Sequence, residues 1–342
     1  MRAVVFRAYG PPGVLDLTSL PIPEPGPGEV RIRVRACAVN HLDLDLRAGK
    51  ARMPITLPHV LGREAAGTVD AIGPGVSGVA PGERVLAAPI VPCGRCNACQ
   101  AGDDNLCPHA QMPGIQMPGG YAEYLVFPAR GLLRLPAALS FEAAAATPIS
   151  FGTAWRMLVT IAAVRPGETV LVTGAGGGLG SAAVQVAALR GAQIIAAAGS
   201  DQKLDYARAC GAFAGINYRE TDLAVEVLRL TGGRGVDVAV EHIGGDILRA
   251  TLACMATKGR LITGGGHGGE VVPLDVIPFF RKELSLLGSR SQRREELETV
   301  LRLAGEGALV PHIDRVLPLE AAAEAHALLE ARSVIGKVVL IP

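Results

Sequence analysis

The chain has 342 residues, enough for two domains of roughly 150 residues each and therefore for a cleft between them. Its 33 basic and 32 acidic residues leave a formal net charge of +1 and are spread along the sequence, so it carries no electrostatic footprint for nucleic acid or an anionic membrane. A small-molecule substrate is expected instead. The N-terminus, MRAVVFRAYG, lacks the apolar core of a signal peptide, and no apolar run reaches about 18 residues without Gly, Pro or charge, which points to a cytoplasmic protein.

Residues 1–147 hold short alternating runs, such as Val30, Ile32 and Val34, and then Val85 to Ala88. They are broken by the Pro/Gly-rich stretches 21–29 and 73–82, the pattern of a small β-rich barrel with long loops. Within this region Cys93, Cys96 and Cys99 are followed eight residues later by Cys107. Two-residue gaps let successive sulfurs converge on one tetrahedral ion, and a site of four cysteines is closed and structural, so one zinc per chain is expected here. The alternative is disulfide pairing, which a reducing compartment and the strain of such short gaps both oppose. Cys37, Cys210 and Cys254 stand alone and read as small buried side chains.

From about residue 148 the texture changes. Apolar runs at Thr169–Val172, Gln193–Ala198, Val236–Val240, Arg260–Thr263 and Leu284–Leu287 are separated by helical stretches, the pattern of a doubly wound parallel sheet over 148–288. Residues 289–342 turn helical at Glu295–Ala304 and Leu319–Ala331 and end on the apolar strand Lys337–Ile341, which is expected to return to the first domain.

The strand Thr169–Val172 runs into Gly174-Ala175-Gly176-Gly177-Gly178-Leu179-Gly180 and then an apolar helix. Small residues in that context let the backbone turn tightly and approach a pyrophosphate seated on a helix N-terminus. A ribose-binding acid would follow about twenty residues on, but Ala198 occupies the strand tip, while Ser200 and Lys203 suit a 2′-phosphate. NADPH is therefore expected over NADH. Two alternatives stay open: Ser200 or Asp201 simply caps the next helix, or Asp201 reaches the ribose.

Taken together, the β-rich N-terminal part, the four-cysteine loop, the nucleotide fold and the returning tail resemble the zinc-containing medium-chain dehydrogenase/reductase superfamily over essentially the whole chain. The phrases that agree are Ala38-Val39-Asn40-His41-Leu42-Asp43, Leu61-Gly62-Arg63-Glu64-Ala65-Ala66-Gly67, Gly152-Thr153-Ala154-Trp155 and Gly336-Lys337-Val338-Val339-Leu340. The cysteine loop looks like the structural zinc lobe of alcohol dehydrogenases, and the glycine loop and Val39-Asn40 look like the quinone oxidoreductase branch. The resemblance implies an α/β protein: a GroES-like β-barrel catalytic domain plus a Rossmann doubly wound sheet, assembled as a homodimer or homotetramer.

Carried onto this sequence, the catalytic zinc ligands of the alcohol dehydrogenases fall on Asn40, Arg63 and Ile149, none of which suits the ion, and the proton-relay position falls on Asp45. The resemblance also places Thr153 beside the nicotinamide, Gly265 of the loop 264–266 near the carboxamide, and Tyr218 and Arg332 with Ser200 and Lys203 around a 2′-phosphate. His41 and His267 read as solvent-facing or packed histidines. Arg63, held by Asp43 or Glu64, and the Asn40 amide are the candidate donors to a substrate oxygen, or else a structural ion pair fills the space of the lost metal. The leading expectation is an NADPH-dependent reductase of quinones or α,β-unsaturated carbonyls. An alcohol dehydrogenase and a non-catalytic NADPH-binding sensor are the competing ones.

Overall fold

The computed structural model describes residues 1–342, which form two compact units: Met1–Ile149 with Arg293–Pro342, and Ser150–Gln292. The protein is mixed α/β.

The first unit is built on a seven-stranded sheet. Its order is Ile313–Pro318, Lys337–Ile341, Glu29–Ala38, Glu64–Ile72, Arg84–Ala87 and Leu132–Arg134, with Tyr124–Pro128 also pairing Glu29–Ala38. Glu29–Ala38 shows why the first half reads as β: Val30, Ile32 and Val34 are buried while the alternating arginines face out. Alternation stops at Ala36-Cys37-Ala38, all fully buried, where the last strand pairs antiparallel through Val339 and Leu340. Tyr121, Phe6, Ile32, Leu61, Leu125, Phe127, Val338 and Leu340 form the core of this unit. Between the strands lies a helix not anticipated from sequence, His41–Arg47, whose HLDLDLR alternation looks like a strand. Its start is capped by Asp43, whose carboxylate accepts from the Asn40 N–H at 2.8 Å.

The second unit is a six-stranded, all-parallel sheet in the order Ala214–Asn217, Gln193–Ala198, Thr169–Thr173, Val236–Glu241, Met255–Thr263, Ser285–Gly288. The winding reverses between Thr169–Thr173 and Val236–Glu241, the switch point where open α/β sheets bind ligands. The continuous apolar runs read as strands are these, buried except at Ser285–Gly288, an edge strand with Leu286 exposed. Ala214–Asn217, too short and too polar to stand out, was not anticipated, and Met255–Thr263 starts five residues before the apolar run because Lys258, at φ 62°, interrupts it.

Candidate active site and metal centre

The glycine loop leaves Thr169–Thr173 and enters the helix Gly178–Leu189, with Gly177 at its N-cap. Gly174 turns at φ 59°, and a methyl group on Gly180 would lie 2.1 Å from the Gly174 carbonyl oxygen, so the turn admits no side chain at either place. Gly176 is crossed by the Lys203 methylenes, which would lie 2.5 to 2.8 Å from a carbon added there. Gly178 and Leu179 open the helix and add N–H groups to the anion-binding end. These residues fit a pyrophosphate.

At the next strand end, Ala198 is buried and pairs with Asn217. A methyl group on Gly199 would meet Arg219 Nε at 2.9 Å and the Tyr218 ring at 3.4 Å. Ser200 N-caps the helix Asp201–Ala209 without using its side chain, so its hydroxyl is not spent on the cap, and Asp201 takes a bond from the Asn217 amide at 3.3 Å. Ser200, Tyr218 and Arg219 thus stand around Gly199. Arg219 was missed in the sequence because its strand was missed; two residues past a sheet tip, it was within reach of the same logic. Thr153 lies on the helix Pro148–Trp155 and is 7% exposed. Gly265 packs against the His242 carbonyl, and the His242 ring packs against Gly174, so this histidine, also unanticipated, connects the two loops. Arg332 is in the other unit, exposed, at φ 55° beyond the helix Ala322–Glu330.

The sulfurs of Cys93, Cys96, Cys99 and Cys107 all lie within 4.8 Å of one another, with Cys96 at 3.5 Å from Cys99 and 3.7 Å from Cys107. A zinc tetrahedron with Zn–S bonds of about 2.3 Å has edges of roughly 3.8 Å, so the cluster matches the ion. None of the four is in a disulfide. The Arg95 backbone N–H holds the Cys93 thiol down to about 6, whereas burial and the neighbouring sulfurs push Cys99 up to about 12. Four sulfurs so close could hold one zinc ion as thiolates. The lobe is tied to the helix Arg294–Gly305 by Asp103, which accepts from Arg293 at 2.5 Å, and by Asp104, which accepts from the Arg294 backbone at 3.2 Å.

The third constellation is buried in the first unit. The Glu64 carboxylate takes the Ile149 N–H on Oε1 at 2.6 Å, and the Asn40 amide at 2.9 Å and the Lys337 ammonium at 2.7 Å on Oε2. Lys337 also donates to Asn40 Oδ1 at 2.7 Å. Two of the three positions aligned with zinc ligands therefore do meet, bridged by one carboxylate. They meet as the Asn40 NH2 and the Ile149 backbone N–H, both donors, and the one acceptor of that amide, Oδ1, is taken by the Lys337 ammonium, so neither offers a lone pair to a cation. Lys337, from the last strand, was given no role in the sequence, where it stands only within the phrase Gly336-Lys337-Val338-Val339-Leu340 that carries the resemblance.

Arg63 follows Gly62, whose φ of 103° and lack of space (Tyr121 and Cys37 would be 2.6 and 2.8 Å from a side-chain carbon) fix the turn that presents it. It is 8% exposed and reaches the Pro89 carbonyl at 3.4 Å. Asp43 is fully buried, accepting from the Asn40 N–H at 2.8 Å and from Tyr121 Oη at 3.4 Å. Desolvation raises its carboxyl to about 6, opposed by the Asn40 N–H and by the charges of Arg63 and Lys337. Of the two carboxylates expected to hold Arg63, Asp43 feels its charge. Glu64 is engaged by Lys337. His41 is exposed.

Residues 26–137 match the family described as "Alcohol dehydrogenase GroES-like domain" and residues 178–306 the family described as "Zinc-binding dehydrogenase". The chain is 33% identical to the NAD-dependent alcohol dehydrogenase of Sulfolobus acidocaldarius, covering 99% of each, and 31% identical to the quinone oxidoreductase of Homo sapiens, covering 100% of this chain and 98% of that one. Among solved structures, one described as an NAD-dependent alcohol dehydrogenase superposes with a TM-score of 0.96 at 50% identity over 100% of both chains. The cobalt- and zinc-bound thermostable alcohol dehydrogenase from Pyrobaculum aerophilum gives 0.91 at 33% identity, covering 100% of this chain and 99% of that one. The protein belongs to the zinc-containing medium-chain dehydrogenase/reductase superfamily and is an oxidoreductase of that class. A nicotinamide cofactor is expected of a member of this superfamily, and its homologous enzymes act on small-molecule substrates.

Proposed function

We propose that this enzyme is an NADPH-dependent oxidoreductase that delivers hydride to quinones or α,β-unsaturated carbonyl compounds without a catalytic zinc. One observation carries the reading: the three positions aligned with zinc ligands hold Asn40, Arg63 and Ile149, and Glu64 is saturated by Asn40, Ile149 and Lys337. This donor set fits a negative oxygen, not a divalent cation.

Reduced nicotinamide, when bound, supplies the hydride, with Thr153 and Gly265 assigned to its end of the site. Addition at the β-carbon of a conjugated carbonyl leaves charge on the oxygen. The Arg63 guanidinium and the second amide N–H of Asn40, whose present partner is only the Ala38 carbonyl at 3.5 Å, are the donors assigned to that oxygen. Lys337 and Glu64 hold Asn40 in place. The preference for NADPH is inferred from Ala198 at the ribose position and from Ser200, Lys203, Tyr218 and Arg219 as phosphate partners, with Arg332 as a further cation. Cys93, Cys96, Cys99 and Cys107 would hold one structural zinc.

No helix is long and apolar enough to cross a membrane. The cytoplasmic assignment rests on free thiols throughout the chain. Ser285–Gly288 is an edge strand with Leu286 exposed, beside exposed Val276, Ile277 and Phe280, which favours a homodimer or homotetramer.

The second reading, an alcohol dehydrogenase, is favoured by the name of the structure at 50% identity. The two separate on one measurement: NADPH-linked reduction of a simple quinone and an enone against NAD(P)-linked oxidation of primary alcohols, on enzyme of known metal content. Chelator-sensitive alcohol oxidation as the dominant activity overturns the first reading.

A further inference from the structure

Behind the polar centre a line of buried groups crosses the catalytic unit. Arg47 is 2% exposed; its guanidinium bonds the Gly10 carbonyl at 3.0 Å, Glu330, and His326 Nδ1 at 3.3 Å. Arginine can only donate, so Nδ1 accepts and the ring hydrogen sits on Nε2. That hydrogen is directed to the Tyr121 oxygen, 3.2 Å away, which leaves the Tyr121 hydroxyl hydrogen to Asp43 Oδ2 at 3.4 Å. The direction is locked at both ends. Burial, and then the Arg47 charge, drive His326 down to about 3, so it stays neutral, and burial and the Asp43 charge hold the Tyr121 phenol above its ordinary range.

Asp43 Oδ2 therefore accepts two hydrogen bonds, from Asn40 and Tyr121, while the buried Oδ1 accepts none. The ionisable groups around this carboxyl come from every element packed on it. Arg63 and Lys337 favour its ionised form, Glu64 opposes it, and Tyr121 and the Cys37 thiol face it as neutral groups. The line spends two buried polar side chains, Tyr121 and His326, on aiming one hydroxyl at one carboxylate oxygen.

We propose that Asp43 is a positioning residue: oriented by the Arg47–His326–Tyr121 line, its ionised carboxylate fixes Asn40 and the Arg63 guanidinium as donors to the substrate oxygen, and protonation slackens both. This rests on the role proposed above for Arg63. The direction follows from the bonds: Tyr121 and Asn40 donate to the charged form, so removing either donor makes Asp43 easier to protonate.

The test is the pH profile of kcat/KM for an enone with saturating NADPH, alongside the titration of the Asp43 carboxyl in 13C-aspartate-labelled protein. The unmodified enzyme should lose kcat/KM as pH falls through about 6. Tyr121→Phe should move that limb upward by roughly half a pH unit or more, and move the carboxyl titration with it. Asp43→Asn should abolish the limb and lower kcat about tenfold at pH 8, leaving the NADPH Kd unchanged; a fall of that size is the ordinary cost of displacing a donor. An acid limb that stays put in Tyr121→Phe overturns the proposal, whether or not Asp43→Asn folds. If the unmodified enzyme reduces no enone or quinone, the proposed function fails on its own, and an Asp43 titration unmoved by Tyr121→Phe then overturns the line itself.

Discussion

Lys337 Nζ and Glu64 Oε2 stand 2.7 Å apart with the carboxylate fully buried and the ammonium side chain 6% exposed. A buried pair is weak evidence of net stability, but breaking it leaves an uncompensated charge. Lys337→Met should therefore lower stability by about 3 to 5 kcal/mol, read from denaturant midpoints. The double variant Glu64→Gln/Lys337→Met should recover a large part of that loss. A single variant costing no more than an exposed substitution would show that the pair is not the anchor of the Asn40 amide.

Zinc analysis of gently purified protein should give one ion per chain. Two would place a metal where Asn40, Arg63 and Ile149 stand, and none would remove the structural site. Metal binding is coupled to folding of its lobe, and Asp103 and Asp104, between the third and fourth cysteines, tie that lobe to the helix Arg294–Gly305. Cys96→Ser should thus lower Tm and increase amide exchange at the start of that helix, with a smaller effect on the chemistry.

NADPH should be used in preference to NADH. Ala198→Asp should erase or reverse the preference, because a carboxylate there repels a 2′-phosphate and accepts from the ribose hydroxyls. Arg219→Ala should weaken NADPH binding and leave NADH binding nearly unchanged. Equal kcat/KM for both cofactors in the unmodified enzyme counts against this site.

Two buried groups tilt stability with pH in opposite directions. Asp43 is raised to about 6, so its folding penalty is absent below its unfolded value near 3.8 and complete above about 6. That shift of about two units is worth about 3 kcal/mol. Asp43→Asn should accordingly compare best with the unmodified protein above pH 6 and lose its relative gain below pH 4. His326 is lowered to about 3 from 6.5, so the unfolded chain takes up its proton first and stability falls as pH drops from 6.5. His326→Gln should flatten that acid slope. Parallel pH–stability curves for these variants and the unmodified protein would contradict both assignments.

The elements that were readable in the sequence are those whose pattern has one physical cause. Residues 170–172 and 194–198 are buried on both faces and so are uniformly apolar, and the cysteine spacing suits a tetrahedral ion. Asn40 could be singled out because its neighbours in chain form a short phrase, and both Asn40 and Ile149 reach Glu64. Lys337, His326 and Tyr121 were invisible for the converse reason. They reach the same centre from 78 to 297 residues away along the chain, and nothing local assigns them a role there. Arg219 was lost with its strand, since Ala214–Asn217 pairs on one edge only and carries no apolar run.

The last prediction concerns Arg63 and separates its two possible roles. Oxidising an alcohol requires an alkoxide-like oxygen at neutral pH, which a metal supplies by Lewis-acid coordination worth several kcal/mol. An amide already engaged by Glu64, a guanidinium and an isoleucine do not provide that stabilisation. Reducing a conjugated carbonyl asks for less, because the enolate delocalises its charge and one aimed donor in a dry site contributes about 3 kcal/mol. If Arg63 is that donor, Arg63→Ala should lower kcat/KM for an enone about 100-fold, mostly in kcat. If it only balances the Asp43 charge, the loss should appear as stability above pH 6, where Asp43 is ionised, with enone kinetics intact in the folded fraction. Arg63→Lys separates the roles further, since it keeps the charge beside Asp43 but gives up the planar fork. Full stability with impaired kcat in Arg63→Lys assigns the guanidinium to the substrate, and unchanged kcat in both variants reduces Arg63 to a counter-ion.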